Sequence, residues 1–324
     1  GAGRGYASVA IAGGKFYTLG DGLSTADDKD EYLTCFELAT GKQLWKTKTG
    51  EPWTSGQEAW RSSRGTPTVD GQLVYVITPQ GKLICCGAYN GEEKWRKDLK
   101  ADFGGSKADG WGYSESPLVD GNLLLCTPGG ANSTVVALNK TTGETKWTCS
   151  RPGDIGAGHA SIVISKVKGK KVYVQTTGSG GLGIDENGKL LWEFRIDKTT
   201  AVIPTPIVRD DLVYIPVGYG RGAALLRQVP SNDGGVNVET IYGLNVKLAN
   251  KHGGVVLVGD HVYCDSDDKG IPICAEFMTG EIKWNHRGPG KRSAAVIAGD
   301  GMLFIQFEDG TLTLAKANPN EFEE

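Results

Sequence analysis

The chain has 324 residues, of which 39% are hydrophobic and 23% charged, the composition of an ordinary globular protein. Its formal net charge of −3 lacks the basic excess that a nucleic-acid binder needs, and no apolar run approaches the roughly 18 residues of a membrane-spanning helix. Its 48 glycines, together with many Val, Ile, Tyr and Thr residues, favour strands joined by tight turns over helices. The seven cysteines include no CxxC pair, so neither a zinc ribbon nor a disulfide framework is indicated.

In chain order, a strand–turn–strand phrase alternates with a second hairpin that ends in tryptophan. Residues 67–78, PTVDGQLVYVIT, exemplify the first phrase, with Asp70-Gly71 at the tight turn. The second phrase, Thr/Asn-Gly-x-x-x-Trp, recurs about every 50 residues, a period typical of propellers and solenoids. It ends at Trp45, Trp95, Trp147, Trp192 and Trp284.

Two hairpins in each repeat predict a four-stranded antiparallel sheet, which is one blade of a β-propeller. The distance from Trp192 to Trp284 is about twice the usual one, so we expect one unit to have lost its tryptophan near Val238. The predicted fold class is all-β, a single propeller domain over residues 1–324 with seven blade units; an eight-blade ring lacking one blade is the alternative. The units are placed at about 4–50, 62–100, 111–150, 157–197, 202–245, 252–288 and 291–324.

The five repeated tryptophans are predicted to be structural, because a flat ring on the outermost strand can cover the seam with a neighbouring blade. Cys35, Cys85 and Cys274 stand where another blade has Ala137, which favours small buried residues over reactive thiols. The neighbouring Cys85 and Cys86 lie within one strand, where successive side chains point to opposite faces. A disulfide between them would require a distorted peptide.

The segment ALNKTTGETKW, residues 137–147, resembles the tryptophan-docking motif A-x-D-x-x-T-G-x-x-x-W of quinoprotein-like propellers. The phrases RGTPTVDG and DGWGYSESPLVDG further resemble PQQ-like propeller proteins of planctomycete-type bacteria. The quinoprotein-like propellers include pyrroloquinoline-quinone (PQQ) alcohol dehydrogenases and the propeller lipoprotein of the outer-membrane barrel-assembly machinery. The resemblance implies a periplasmic or otherwise extracytoplasmic location. The sequence opens with GAGRGYAS, without a methionine or a signal-peptide apolar region, so either the chain was processed or it is only part of a longer one.

Residues just before the inner strands of a propeller are expected to surround the mouth of a central funnel, a concave place of the kind that ligands prefer. There we expect Glu115 to be held ionised by arginines, and an anionic or polyhydroxylated small molecule to be the natural ligand. The candidate ligand-binding residues are Arg64, Trp111, Tyr113, Glu115, His159, His252 and Arg292.

Two functions remain open. The sequence favours a non-catalytic extracytoplasmic scaffold that binds a protein partner, or a small polar or anionic ligand, through its funnel and loops. The alternative is a PQQ-dependent alcohol or sugar dehydrogenase, for which the resemblance implies PQQ with calcium. Glu115, Arg64, Arg292 and Trp111 could supply parts of such a site, but the further Asp or Asn that a calcium ion needs is not evident. No catalytic or metal-binding residue is assigned.

Overall fold

The computed structural model describes residues 2–21, 30–54, 61–197, 199–232, 234–252 and 254–324. The chain divides into two compact units. The first contains the residues up to Ile162 together with Thr177–Ser179 and Asn187–Leu190, and the second contains the remainder. Among the described residues, no helix has the length and apolar character that crossing a bilayer would require.

The first unit is built from three antiparallel sheets, each with four strands paired in chain order. Sheet one comprises β1 (Ala10–Ala12), β2 (Lys15–Gly20), β3 (Glu31–Glu37) and β4 (Gln43–Gly50). Sheet two comprises β5 (Thr68–Asp70), β6 (Leu73–Ile77), β7 (Lys82–Gly87) and β8 (Glu93–Asp98). Sheet three comprises β9 (Leu118–Asp120), β10 (Leu123–Cys126), β11 (Val135–Asn139) and β12 (Thr145–Cys149). A short helix, α1 (Leu99–Phe103), follows β8 and is capped by Asp98.

The second unit contains most of sheet four and all of the remaining sheets. Sheet four comprises β13 (Val163–Val167), β14 (Lys170–Thr177), β15 (Gly180–Ile184) and β16 (Leu190–Arg195). Sheet five comprises β17 (Ile207–Arg209), β18 (Leu212–Val217), β19 (Gly222–Pro230) and β20 (Val236–Asn245), followed by the 3-10 turn Val246–Leu248. Sheet six comprises β21 (Val256–Val258), β22 (His261–Asp265), β23 (Pro272–Glu276) and β24 (Ile282–Asn285). Sheet seven has three strands in the described residues, β25 (Ala294–Gly299), β26 (Met302–Phe307) and β27 (Leu312–Lys316).

The predicted all-β class of four-stranded antiparallel units is confirmed, apart from the three strands of sheet seven. The tight turns form where the sequence placed them, since Gly71 has the positive φ of +57° that Asp70-Gly71 predicts. The middle strands of sheets one to six are buried on both faces, as in β6 and β7, whereas β26 and β27 of sheet seven are buried on one face and exposed on the other. The apolar core is consequently divided into clusters that lie between successive sheets of each unit.

The tryptophans of the fourth strands make the contacts between neighbouring sheets. The indole Nε1 of Trp45 donates to the carbonyl oxygen of Ala88 at 3.3 Å, and that of Trp95 donates to Lys140 O at 3.1 Å. The Trp45 ring also lies against Gly91, where an added methyl group would approach a ring atom to 2.5 Å. The indoles of Trp45, Trp95 and Trp147 thus rest on the third turn of the next sheet, which needs a glycine to admit them.

In sheet five, Tyr242 takes the place of the missing tryptophan. It stands opposite Leu225, and its hydroxyl donates to Phe277 O at 3.1 Å. Its ring lies against Gly280 as Trp45 lies against Gly91. The sequence placed the lost tryptophan near Val238, four residues too early, because β19 and β20 are the longest strands of the sheets and carry register shifts.

The three cysteines at the alanine position are buried, as the sequence predicted. Each lies between a tyrosine and a tryptophan of the neighbouring strands, as Cys35 does between Tyr17 and Trp45. All seven cysteines are free thiols, so Cys85 and Cys86 form no disulfide.

Replacing Gly91 by alanine tests the contact between sheets, with Gly41 as the matched control. The two glycines hold the same turn position with φ angles of +71° and +69°, but a methyl group on Gly41 would meet nothing within 4 Å. Both substitutions incur the left-handed backbone cost, so we expect Gly91→Ala to lower the free energy of unfolding by about 1–3 kcal/mol more than Gly41→Ala. Urea unfolding measures the difference, and equal losses in the two variants would contradict the packing role.

The thiols should react slowly in the folded protein. Burial raises the pKa of Cys85 and of Cys86 to about 12 and that of Cys274 to about 11, so little thiolate forms at neutral pH. We expect a thiol-reactive dye to label none of the seven rapidly under native conditions and all of them in concentrated guanidinium chloride. Rapid native labelling, or a mass lower by two hydrogens, would be evidence for a redox role instead.

Candidate functional site

Five of the seven candidate residues, from Arg64 to His159, lie in three loops of the first unit that precede β5, β9 and β13. The loops are joined by serine hydroxyls in succession. The Thr66 N–H donates to Ser116 Oγ at 3.1 Å, and the Ser116 N–H donates to Ser161 Oγ at 3.0 Å. These bonds hold the loops side by side and bring their polar side chains together. We call Arg64, Lys107, Asp109, Trp111, Glu115 and His159 the loop cluster.

His159 is held from both sides. Its Nδ1 lies 2.5 Å from Ser114 Oγ, and its Nε2 lies 2.9 Å from Asp109 Oδ2. The side chains of His159 and Asp109 are almost fully buried. Burial, reinforced by the Lys107 cation, lowers the pKa of His159 in spite of the Asp109 carboxylate. The imidazole is therefore neutral at pH 7. Because an ionised carboxylate only accepts hydrogen bonds, Nε2 carries the proton and Nδ1 accepts from the Ser114 hydroxyl.

The charges around this imidazole are also bonded within the protein. Lys107 Nζ donates to Gly158 O, and burial lowers the pKa of the ammonium group to about 8. Burial alone would raise the pKa of Asp109, but the hydrogen bond from His159 and the Lys107 charge outweigh it and lower the pKa. Arg64 Nη1 donates to the carbonyl oxygen of Trp111 at 2.7 Å. The cations and the Asp109 carboxylate thus fix the backbone of these loops.

Glu115 is the most deeply buried member of the loop cluster. Its two oxygens accept from the Thr127 N–H at 2.7 Å and from Thr127 Oγ1 at 2.9 Å. Burial raises its pKa from 4.5 to about 8, although the Thr127 bonds and the Lys107 charge act in the opposite direction. The expectation that arginines hold Glu115 ionised is therefore wrong, because desolvation dominates and the carboxyl is largely protonated at pH 7.

Tyr113 is a packing residue rather than a ligand-facing one. Its ring is buried against Gly81, and its hydroxyl donates to Pro128 O at 2.8 Å. Trp111 is half-buried, and its N–H donates to Asp109 Oδ1 at 3.0 Å.

The two remaining candidates lie in the second unit and do not share one environment. His252 Nδ1 lies 2.7 Å from Ser293 Oγ and 3.1 Å from Asp268 Oδ1, and Lys251 Nζ pairs with the same carboxylate. The Arg292 side chain is 75% exposed and pairs with Glu308 at 3.1 Å.

The residues that sequence reasoning missed are the partners of the candidates: Lys107, Asp109, Ser114, Thr127, Asp268 and Ser293. Asp109 and Ser114 lie within the DGWGYSES phrase, but no spacing indicates that a histidine 45 residues after Ser114 joins them. Ser114, His159 and Asp109 have the composition of a hydrolytic triad. The same three residue types recur at His252, Ser293 and Asp268, which favours a structural role in bracing the loops before inner strands.

Glu115 does not fit the carboxylate ligand that a calcium-held quinone would need. Both of its oxygens are hydrogen-bonded to Thr127, so neither is turned toward a cation. Within the described part of the chain, no three His, Cys, Asp or Glu side chains are grouped as metal ligands.

The raised pKa of Glu115 makes a prediction about stability. A carboxyl that is neutral in the folded state and ionised in the unfolded state stabilises the fold fully below pH 4.5, and this contribution falls as the pH rises toward about 8. Glutamine keeps one acceptor for the Thr127 N–H and can donate to Thr127 Oγ1. We therefore expect wild type to lose roughly 1.4 kcal/mol per pH unit relative to Glu115→Gln across this interval.

Urea unfolding of both proteins between pH 5 and pH 8 measures this difference. Glu51→Gln, at an exposed side chain, is the matched control and should follow wild type at every pH. A pH-independent difference between wild type and Glu115→Gln would show that the carboxyl is ionised in the fold.

Comparison with known proteins gives the family and the fold. The family model described as outer membrane protein assembly factor BamB matches residues 24–286. A curated relative of that name from Yersinia pestis is 26% identical over 210 residues, which make up 62% of this chain and 50% of the relative. The chain therefore spans about half the length of this curated relative.

Two solved structures share the fold. BamB from Moraxella catarrhalis superposes with a TM-score of 0.61 at 17% identity, covering 96% of this chain and 85% of that chain. Quinohemoprotein alcohol dehydrogenase from Comamonas testosteroni gives a TM-score of 0.56 at 17% identity, covering 94% of this chain and 62% of that chain. At this identity the likeness shows the fold alone, and it confirms the predicted β-propeller type with seven blade units. Because the family model matches residues 24–286, the chain belongs to the outer membrane protein assembly factor BamB family of PQQ-like propellers.

Proposed function

We propose that the chain is a non-catalytic scaffold that binds a protein partner outside the cytoplasm and supports the assembly of outer-membrane proteins. The loops that carry the loop cluster in the first unit form its binding surface. The buried side chains of Tyr113 and Glu115 support these loops from the protein interior. The half-buried Arg64 and Trp111 reach the surface that a partner would contact.

The observation that carries the proposal is that the reactive side chains of the loop cluster bond to the protein's own loops. Arg64 donates to Trp111 O and Lys107 donates to Gly158 O, so both cations stabilise backbone shape. Glu115 binds Thr127, and His159 is bonded between Ser114 and Asp109. Loops held in this way present a rigid surface, which lowers the entropic cost of binding a protein partner.

The family supports the same function, because its name and the name of the Yersinia pestis relative both describe a factor for assembling outer-membrane proteins. The seven buried thiols are compatible with an oxidising compartment, since burial keeps them from forming disulfides. The net charge of −3 gives no support to a nucleic-acid partner.

The proposal is tested in a bacterium that carries the gene. We expect its deletion to lower the fraction of outer-membrane barrel proteins that are folded, measured by their heat-modifiable mobility on gels. Wild type should restore that fraction, whereas a chain with Arg64→Ala and Trp111→Ala should not, although its melting temperature stays close to that of wild type. Lys100→Ala, at an exposed position on α1, is the control and should restore it fully.

A second measurement addresses the dehydrogenase alternative. The purified chain is mixed with PQQ and calcium, passed over a sizing column, and assayed for alcohol-dependent reduction of a dye. We expect no quinone absorbance to co-elute and no dye reduction. Alcohol-dependent reduction, or unchanged barrel assembly in the deletion strain, would overturn the scaffold proposal.

A further inference from the structure

One hairpin of the second unit concentrates positive charge. Residues 166–171, KVKGKK, contain four lysines and no acidic residue, in a chain whose formal net charge is −3. They form the end of β13, the turn Lys168-Gly169 and the start of β14. Three of the lysines are exposed and Lys171 is half-buried. We call Lys166, Lys168, Lys170 and Lys171 the lysine hairpin.

The corresponding hairpins of the other described sheets carry no such charge. Each joins the first strand of its sheet to the second, as the lysine hairpin does. Five of those six hairpins have an aspartate in or beside the turn, and the sixth turns at Gly13-Gly14. The aspartates are Asp70, Asp120, Asp210, Asp211, Asp260 and Asp300. Because the same turn forms without lysine, the fold does not account for these four residues.

Two features of the lysine hairpin oppose folding. Lys168 has a φ of +47° at the first turn position, where the other hairpins have glycine or aspartate. Glycine adopts this left-handed backbone at little cost and aspartate tolerates it, whereas lysine is strained there. Lys166 stands directly opposite Lys171 in the strand register, and like charges in such a pair repel one another. Residues that lower stability without a structural gain are typical of functional positions.

The surrounding protein does not neutralise the exposed lysines. Ser165 Oγ donates to Asp210 O at 3.1 Å, so the first hairpin of sheet five lies close by. The carboxylate of Asp211 in that hairpin pairs with Arg227 at 3.6 Å. Within the part of the chain that the structure describes, none of the three exposed lysines forms an ion pair. Their charges are therefore directed to solvent or to another molecule.

We propose that the lysine hairpin binds the anionic head groups of a phospholipid membrane surface. Its charges are ammonium groups on flexible stems, which attract phosphates as point charges, and no arginine is present to bind a carboxylate in bidentate fashion. The hairpin also offers no exposed aromatic or apolar anchor of the kind that dominates protein interfaces, since Val167 is buried. Each lysine close to an anionic bilayer strengthens binding roughly fivefold.

The probe is a suspension of sucrose-loaded vesicles that contain equal amounts of phosphatidylcholine and phosphatidylglycerol. We expect the purified chain to sediment with these vesicles at low ionic strength and to be released at about 1 M salt, because salt screens the attraction. Vesicles of phosphatidylcholine alone should carry little protein. Changing Lys166, Lys168 and Lys170 together to glutamine should weaken binding at least about tenfold.

A matched control removes the same charge elsewhere. Lys94, Lys146 and Lys283 each pair with the glutamate two residues earlier, at 2.8, 2.8 and 3.2 Å. Changing these three lysines to glutamine alters the net charge equally and should leave vesicle binding close to that of wild type. Equal losses in the two triple variants would show that only the overall charge matters, which would overturn the proposal.

The variant Lys168→Gly separates binding from stability. Glycine relieves the left-handed backbone strain, so the melting temperature should be unchanged or higher while vesicle binding weakens roughly fivefold. A lower melting temperature would show that the fold needs this lysine and would overturn the argument. Absence of vesicle binding, salt-independent binding, or unchanged binding by the hairpin variants would overturn it too. Binding of a polyglutamate peptide without binding of vesicles would assign the hairpin to an acidic protein segment instead.

This membrane contact goes beyond the proposed function, because it lies in the second unit and uses no residue of the loop cluster. Vesicle binding can therefore be absent while barrel assembly still depends on Arg64 and Trp111. Conversely, the lysine hairpin can bind vesicles in a chain that has no role in outer-membrane assembly.

Discussion

The middle strands of sheets one to six are buried on both faces, and such a sheet is stable only when both faces are covered. In sheet two, Val74, Tyr75, Ile84 and Cys85 have no exposed surface, although their side chains point alternately to opposite sides. One four-stranded repeat cannot bury its own hydrophobic faces. Every sheet therefore depends on its neighbours, and the contacts between sheets determine how each repeat must be built.

Trp95, on the fourth strand of sheet two, shows how neighbouring sheets cover one another. Its indole packs on a tyrosine of its own sheet and on a glycine turn of the next, so one side chain contributes to two layers of the core. Trp95 does this between Tyr75 and Gly143, whose methyl group, if present, would approach the ring to 2.9 Å. The Gly-x-x-x-Trp phrase from Gly91 to Trp95 thus takes part in two different contacts between sheets. Gly91 receives the ring of Trp45, and Trp95 packs on Gly143. The glycine serves the preceding sheet and the tryptophan serves the following one.

These local rules explain what the sequence could predict. Turn glycines and repeated tryptophans act within one or two repeats, so they predicted the all-β class, the strand order and the burial of Cys35, Cys85 and Cys274. Tyr242 escaped detection because another aromatic ring can fill the same space, and the register shifts of sheet five conceal its position. The ionisation of Glu115 could not be predicted, since it depends on desolvation by residues far apart in the sequence.

The loops follow different constraints from the sheets, and this separates fold from function. A residue in a Tyr–Cys–Trp row is fixed by packing on both sides, whereas a residue before an inner strand must only find partners for its polar groups. In this chain those groups bind one another and the backbone, as Arg64 and Lys107 do. A change in the loops can therefore alter what the propeller binds while the rows between the sheets remain intact. This separation of sheet packing from loop chemistry allows one fold to serve proteins as different as BamB and a quinohemoprotein alcohol dehydrogenase.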